Sequence, residues 1–304
     1  MKVLEFRKIS KSFGPKKVLD SLNFSLEEGE IYGLLGPNGC GKTTATNILS
    51  NLLNQDDGTV EINGQPHSLA GGKLLGVCPQ EISLYKDLRP SENLRFFAGL
   101  YGLKGKAAES RIGELMDLFN LNQFKKTPIS RLSGGWQRRV NIAGALIHNP
   151  KICVLDEPTA ALDIESRHEL WQIIKELKSR KISILLTTHH LDEAERLCDT
   201  VGIMSGGKIL KEGPVPDLIS LVPGKMIALV ESPTPEILLK ALKEIGWEHR
   251  VYASRIGALL PSHYSLKEVM DQLNGVELTS LSMQPIRLEH AYLEILGQNN
   301  VSTM

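Results

Sequence analysis

In a chain of 304 residues, Lys plus Arg and Asp plus Glu number 35 each, so the formal net charge is zero. No bulk field therefore draws the chain to nucleic acid, for which a basic domain is expected. The length admits one large or two ordinary domains. Four widely separated cysteines, Cys40, Cys78, Cys153 and Cys198, form no CxxC pair. They point to reduced thiols in a cytosolic protein rather than to zinc. The N-terminus enters a strand at once with no signal-peptide core, and no apolar run approaches the ~20 residues that span a bilayer. Any membrane role is expected to come through a partner.

Residues 2–35 suggest a short antiparallel sheet, with strands from Val3 to Ile9, Val18 to Leu26 and Ile31 to Leu35. Phe13 falls at a turn, where an aromatic can stack on a nucleotide base or simply pack. The run Ile31–Leu35 leads into Gly36-Pro37-Asn38-Gly39-Cys40-Gly41-Lys42-Thr43, and a helical pattern follows to about Asn54. Strand, glycine loop and helix in this order are the context of a phosphate-binding loop. The glycines let several N–H groups converge on phosphate oxygens, and the helix adds roughly half a positive charge at its start. Lys42 would reach the outer phosphates and Thr43 would ligate Mg²⁺. Cys40 reads as a small residue tolerated in the loop, with a reactive thiol as the alternative.

Asn63-Gly64 marks a hairpin turn, and the strand Leu74–Cys78 ends at Pro79-Gln80. Gln80, at the C-terminal end of a strand, is a candidate for contact with Mg²⁺ or water. From about Ser91 to Phe124 the pattern is helical, with Leu94, Phe97, Leu100 and Tyr101 on one face and Ile112, Leu115, Leu118 and Phe119 on another. Both stripes read as core of a small helical subdomain, about residues 88–148. Leu132-Ser133-Gly134-Gly135-Trp136-Gln137-Arg138 then opens a helix to about Ile147, either a second anion-binding helix start or a simple cap.

In Lys151-Ile152-Cys153-Val154-Leu155-Asp156-Glu157-Pro158 a doubly buried strand ends in two carboxylates. Unpaired charge at such a place is expensive, which argues for chemistry: Asp156 to hold a Mg²⁺ complex and Glu157 to polarise a water. Ala161-Leu162-Asp163 leads into a helix with the apolar face Leu170, Ile173, Ile174 and Leu177. The strand Ile182–Leu186 ends at Thr187-Thr188-His189-His190, where one of the two histidines can touch a γ-phosphate. A hairpin over 201–210 closes a first domain, residues 1–218.

Residues 219–304 change character. Strand, helix, two strands, helix and strand follow in turn, with Ser265 as a cap and the last strand over Val276–Ser282; a final helix, Leu288–Leu296, is added. The order βαββαβ is that of a ferredoxin-like unit. No catalytic cluster lies in it, so regulation, dimerisation or partner docking is expected there.

With the phosphate loop, Gln80, Leu132–Gln137, Asp156-Glu157, Asp163 and His189 in this order, the chain resembles the ATP-binding subunits of ABC transporters over about residues 2–218. Glu92–Leu103 and Leu288-Glu289-His290-Ala291-Tyr292-Leu293 are similar to the ATPases paired with ABC-2-type permeases, mostly exporters. The resemblance implies an α/β P-loop ATPase with an antiparallel β subdomain and a helical subdomain. It implies that Phe13 stacks on adenine, that Gly36, Pro37, Asn38, Gly39, Cys40, Gly41, Lys42, Thr43 and Thr44 bind the phosphates and Mg²⁺, and that Gln80 couples the site to a permease. Asp156 would support Mg²⁺, Glu157 would be the general base and His189 would sense the γ-phosphate. Ser133, Gly134 and Gly135 would bind the ATP held by an opposite subunit, with Asp163 at that interface. ATP and Mg²⁺, a second ATPase subunit and a separate membrane permease are thus the implied partners, at the cytoplasmic face of a prokaryotic cell membrane. Ala161 and Ile164 stand where the family often has Gly and Pro, and Trp136 is bulkier than many residues at its position. The competing readings are an importer ATPase whose tail binds substrate, and a soluble ABC protein acting on ribosomes or DNA, which usually carries two cassettes or a long coiled coil.

Overall fold

Apolar and polar residues alternate from Lys2 to Glu27, and in the computed structural model, which describes residues 1–67, 74–252 and 255–297, this stretch folds back on itself at Gly14-Pro15. It forms β1 (Lys2–Phe13) and β2 (Lys16–Glu27), paired antiparallel. After them come β3 (Ile31–Leu35), α1 (Lys42–Leu49), β4 (Asp57–Ile62), β5 (Gln65–Pro66), β6 (Leu75–Cys78), α2 (Pro90–Leu100), α3 (Gly105–Leu118), α4 (Gly134–Ala145) and β7 (Ile152–Asp156). Then follow α5 (Ile164–Ser179), β8 (Ser183–Thr188), α6 (Leu191–Leu197), β9 (Thr200–Ser205) and β10 (Lys208–Pro214).

β3 does not join the first sheet, as its neighbours in sequence suggest. All five of its residues are buried, a pattern that suits a strand covered on both faces. It pairs in parallel with β8 and β9, inside a six-stranded sheet of order β10-β9-β3-β8-β7-β6, while β2, β1, β4 and β5 make a separate four-stranded sheet. The two sheets share a core: Phe6 stacks on Phe24 at 4.4 Å between ring centroids, and Phe24 on Tyr32 of β3 at 5.2 Å. Parallel register aligns the C-terminal ends of the central strands, with Leu35 beside Thr188, Asp156 beside Thr187, and Cys78 beside Leu155. The loops leaving β3, β6, β7 and β8 therefore open at one edge, where ligands are met in sheets of this kind.

The helical segment breaks at Gly102, which has a φ of 77°, giving α2 and α3. Leu94, Ile112, Leu115 and Phe119 are buried as expected. Leu100 and Tyr101 are not: both are exposed, as are Phe96 and Tyr85, so one side of α2 presents an uncovered apolar surface. Tyr85 and Phe96 meet edge to face at 4.6 Å there.

The first compact unit ends at Glu212 and the second begins at Gly213, earlier than a boundary after 218. The reason is a helix too short to show a period, α7 (Val215–Ile219), whose Ile219 packs with Val222, Ile227, Leu259, Ile286 and Ala291. The second unit adds β11 (Met226–Glu231), α8 (Pro235–Ile245), β12 (His249–Tyr252), β13 (Arg255–Leu260), α9 (Leu266–Gln272), β14 (Ser280–Pro285) and α10 (Leu288–Ile295). Its four-stranded sheet has the order β12-β13-β11-β14, with β11 antiparallel to both neighbours. Ala228 and Val230 face a core that includes Leu238 and Leu242 of α8 and Val269 of α9, whereas Ile227 and Leu229 face the cluster that includes Ala291 of α10. Alternation at period two thus buries the sheet on both sides. Ser265 caps α9, accepting from the Glu268 N–H. The last strand starts at Ser280 rather than Val276, since Val276 and Leu278 turn into the α8–α9 core instead. The end of the expected domain, 298–304, lies outside the described residues.

Candidate functional site

The loop after β3 curls where glycine permits it. Gly39 and Gly41 have φ of 79° and 115°, and a Cβ on Gly36 would stand 2.4 Å from the Met204 carbonyl oxygen. Lys42, nearly buried at the start of α1, donates through Nζ to the Gly36 carbonyl at 2.8 Å and the Pro37 carbonyl at 3.2 Å. Its ammonium lies 3.8 Å from Glu157 Oε1. Asn38, Gly39, Gly41, Lys42, Thr43 and Thr44 line a cleft of about 410 Å³, completed by Gln80 and Glu157. The strand ends aligned by the sheet therefore meet at one place. Burial pushes the Cys40 thiol up, against the opposing pull of Lys42, so it is not a standing thiolate.

Asp156 ends β7, and the Thr187 hydroxyl of β8 donates to its Oδ1. Burial pushes this carboxyl above the ordinary aspartate value of 3.8; Thr187 and Lys42 oppose the shift and the adjacent Glu157 adds to it. Glu157 itself has a φ of 44°, a left-handed conformation costing of order 1 kcal/mol or more for a non-glycine residue. Its N–H donates to the Thr187 carbonyl at 3.0 Å, and its Oε1 lies 3.1 Å from His189 Nδ1. The unusual backbone turns the Glu157 side chain toward Lys42 and His189. His190 does not share this contact; its N–H donates to Thr188 Oγ1.

Because the folded chain holds the Asp156 proton more tightly than an unfolded one, this group lowers stability as pH rises through the window above 3.8 and has no such effect below it. Asp156→Asn is expected to melt at a higher temperature than the parent at pH 7, with the difference closing on acidification toward pH ~4. Thermal unfolding at both pH values checks it; equal melting temperatures at pH 7 would contradict the assignment.

Not every expected residue reaches the cleft. Phe13 ends β1 about half exposed, with the Lys11 ammonium 5.9 Å from its ring, while Lys16 and Val18 of β2 form the adjacent wall. Ser133, Gly134, Gly135 and Asp163 do not line it. Ser133 and Gly134 are exposed at the start of α4, and no side chain caps that helix. Asp163 caps α5, accepting from the Ser166 N–H and hydroxyl, each at 2.8 Å, which hold its carboxyl below the usual range. A Cβ on Gly135 would meet that Ser166 Oγ at 2.8 Å, so the helix start and the Asp163 turn are packed together.

The departures are accommodated locally. Ala161 takes a φ of 61°, where glycine is free and alanine is strained. Ile164 is exposed, and Trp136 lies 4.7 Å from Phe124 with the Arg139 guanidinium 4.2 Å from its ring.

Among the described residues no cluster of three or more His, Cys, Asp or Glu could form a protein-only metal cage. Thr43 and Gln80, which line the cleft, and Asp156 offer oxygen donors with one carboxylate among them. This set fits Mg²⁺ shared with phosphates, the usual way that ion is held. Sequence reasoning missed Lys16, Val18, Thr187 and Ser166, and only the polar pair Thr187-Thr188 at a buried strand's end offered a signal.

Residues 19–160 match the model of the ABC transporter family. The chain is 32% identical to the linearmycin resistance ATP-binding protein of Bacillus subtilis, over 97% of this chain and 99% of that one. It is 37% identical to the Nod factor export ATP-binding protein I of Burkholderia orbicola, over 97% of each. Among solved structures, an ATP-binding subunit of an ABC transporter superposes with a TM-score of 0.64 at 31% identity, covering 72% of this chain and 92% of that one. A dimeric post-hydrolysis ATP-binding cassette bound to ADP and Pi superposes with a TM-score of 0.62 at 26% identity, covering 69% and 98%. With a glycine loop and Glu157 lining one cleft, His189 in contact with Glu157, and relatives at 32% and 37% identity over nearly the whole chain, the chain belongs to the ABC transporter ATP-binding proteins and is the ATPase subunit of such a transporter.

Proposed function

We propose that this subunit dimerises head to tail, sandwiches each ATP between the phosphate loop of one copy and Ser133–Gly135 of the other, and powers export through a separate ABC-2-type permease. The observation that carries this reading is the division of the site: Lys42, Thr43, Gln80 and Glu157 share a cleft that Ser133–Gly135 do not line. A helix start that is exposed and uncapped by any side chain keeps its N–H groups available to an anion from outside. The dimeric cassette among the structural relatives and the export and resistance names of the sequence relatives support the same assignment.

In hydrolysis the backbone of Gly36–Thr43 and the Lys42 ammonium bind the β- and γ-phosphates, once Lys42 exchanges its loop carbonyls for them. Thr43 and Asp156, with Gln80 nearby, would hold Mg²⁺, which would supply positive charge against that developing on the phosphate oxygens. Glu157 accepts the proton of the attacking water on a carboxylate oxygen, and His189 fixes the orientation of that carboxylate through Nδ1. Phe13 provides the stacking surface for adenine beside Lys16 and Val18.

No helix of the described residues is long and apolar enough to cross a membrane. In this reading the permease is a separate chain, to which the subunit docks from the cytoplasmic face. The exposed Phe96 and Leu100 of α2 suit that contact; Phe96 meets Phe97 at 5.7 Å, and Phe97 and Tyr101 line a groove of about 280 Å³ with Val77, Pro79 and Ser83. The unit Gly213–Met304 serves regulation or partner docking. Phe96→Glu is expected to leave ATP hydrolysis by the isolated subunit within about threefold while abolishing co-sedimentation with permease-containing membranes. Retention on the membranes would remove α2 from the interface, and sedimentation of the parent with ribosomes instead would overturn the transport reading.

A further inference from the structure

Helix α4 carries a buried cation that the phosphate loop and the paired carboxylates do not account for. Arg138 is 3% exposed, and its guanidinium donates to three main-chain carbonyls and, at 3.7 Å, to the Cys78 sulfur. Nη1 donates to the Pro79 carbonyl at 2.6 Å; Nη2 donates to the Gln80 carbonyl at 2.6 Å and to the Glu157 carbonyl at 3.3 Å. Desolvating a guanidinium is costly, and where packing alone is wanted an apolar side chain of similar volume does as well or better. The planar fork reaches two segments at once, which a single ammonium does poorly. Those segments bear two residues whose side chains line the ATP cleft, Gln80 and Glu157.

We infer that Arg138 is a positioning residue that ties helix α4 to the backbones of Gln80 and Glu157, so that displacement of the helix start moves both side chains in the cleft. Ser133 immediately precedes this 12-residue helix, which transmits motion as a rigid element. Glu157 is sensitive to such motion because its left-handed backbone is held on one side by Thr187 and on the other by Arg138. In the dimer proposed above, on which this consequence rests, α4 would report the partner's ATP to Glu157 of its own subunit.

Asn141, farther along α4, supplies the control. Its Nδ2 donates to the Glu81 carbonyl at 3.3 Å and its Oδ1 accepts from the Ser83 N–H at 3.2 Å, so it grips the loop after Gln80 but not Glu157. Steady-state ATPase, nucleotide titration and thermal melting are measured on the full chain carrying Arg138→Met, Arg138→Lys or Asn141→Leu. Arg138→Met is expected to lower kcat about 10-fold or more with nucleotide Kd within about threefold, and to bring the Hill coefficient for ATP from near 2 toward about 1. Arg138→Lys should restore part of kcat, whereas Asn141→Leu should lower the melting temperature with kcat within about threefold. Parental kcat and Hill coefficient in Arg138→Met, or an equal kcat loss in Asn141→Leu, would overturn the inference. If Arg138→Met does not fold, Arg138→Lys decides: reduced kcat at unchanged Kd supports it, and parental kcat refutes it. Failure of the dimer reading shows separately, as turnover by a Ser133→Arg variant, and leaves a kcat loss specific to Arg138 standing as evidence for positioning.

Discussion

Glu157→Gln is expected to reduce ATP turnover by about 10²–10⁴-fold while nucleotide binding is kept or tightened. Glutamine preserves the length of the side chain and an oxygen that can face His189 Nδ1, 3.1 Å away in the parent. It removes the basic oxygen proposed above to take the water proton. Binding is spared because Lys42 is placed by the Gly36 and Pro37 carbonyls rather than by Glu157. Losing the neighbouring charge also removes one of the influences that hold the Asp156 carboxyl up, so its carboxylate forms more readily. Single-turnover hydrolysis and equilibrium titration with a fluorescent nucleotide separate the two quantities. Turnover within about threefold of the parent would take Glu157 out of the general-base role.

Ser133→Arg should abolish turnover to a similar extent through a different copy of the chain. The residue is exposed at the start of α4 and lies outside the cleft lining, so the substitution leaves the fold and the subunit's own phosphate loop intact. Its bulk and charge would instead close the helix start to a nucleotide presented by the partner. Mixing the two inactive variants gives the sharper result. In a heterodimer one site combines an intact Glu157 with an intact Ser133, and the other combines both lesions. If the sites act independently and the subunits assort at random, activity should return to at most about a quarter of the parental level. Two variants that bind ATP and dimerise yet show no recovery on mixing would rule out a shared site.

The phosphate loop was legible residue by residue, because its requirements are local: glycines able to take φ of 79° and 115°, backbone N–H groups and a helix start directly after a buried strand. Asp156-Glu157 was legible for a related reason, two charges at the end of four buried apolar residues. Leu100 and Tyr101 show where periodicity stops. A stripe at helical spacing reveals an apolar face, but not whether another element covers it; here Leu100 and Tyr101 stay exposed, Tyr101 even though it stacks on His148 at 3.7 Å. Asp163 was read through its family position; its side chain is spent within the chain on capping α5.

By itself the sequence determined a P-loop ATPase cassette followed by a βαββαβ unit, since loop chemistry, caps and alternating burial act over a few residues. Only the tertiary structure decided that β3 leaves the first sheet for the centre of the parallel one. It also decided that Thr187 holds both Asp156 and the Glu157 backbone, that Lys16 and Val18 wall the cleft, and that Arg138 reaches across from α4. Each of these depends on strand pairing or on burial between segments far apart in the chain, where the partner is chosen by the packing of the whole unit and leaves no mark in the local residue pattern.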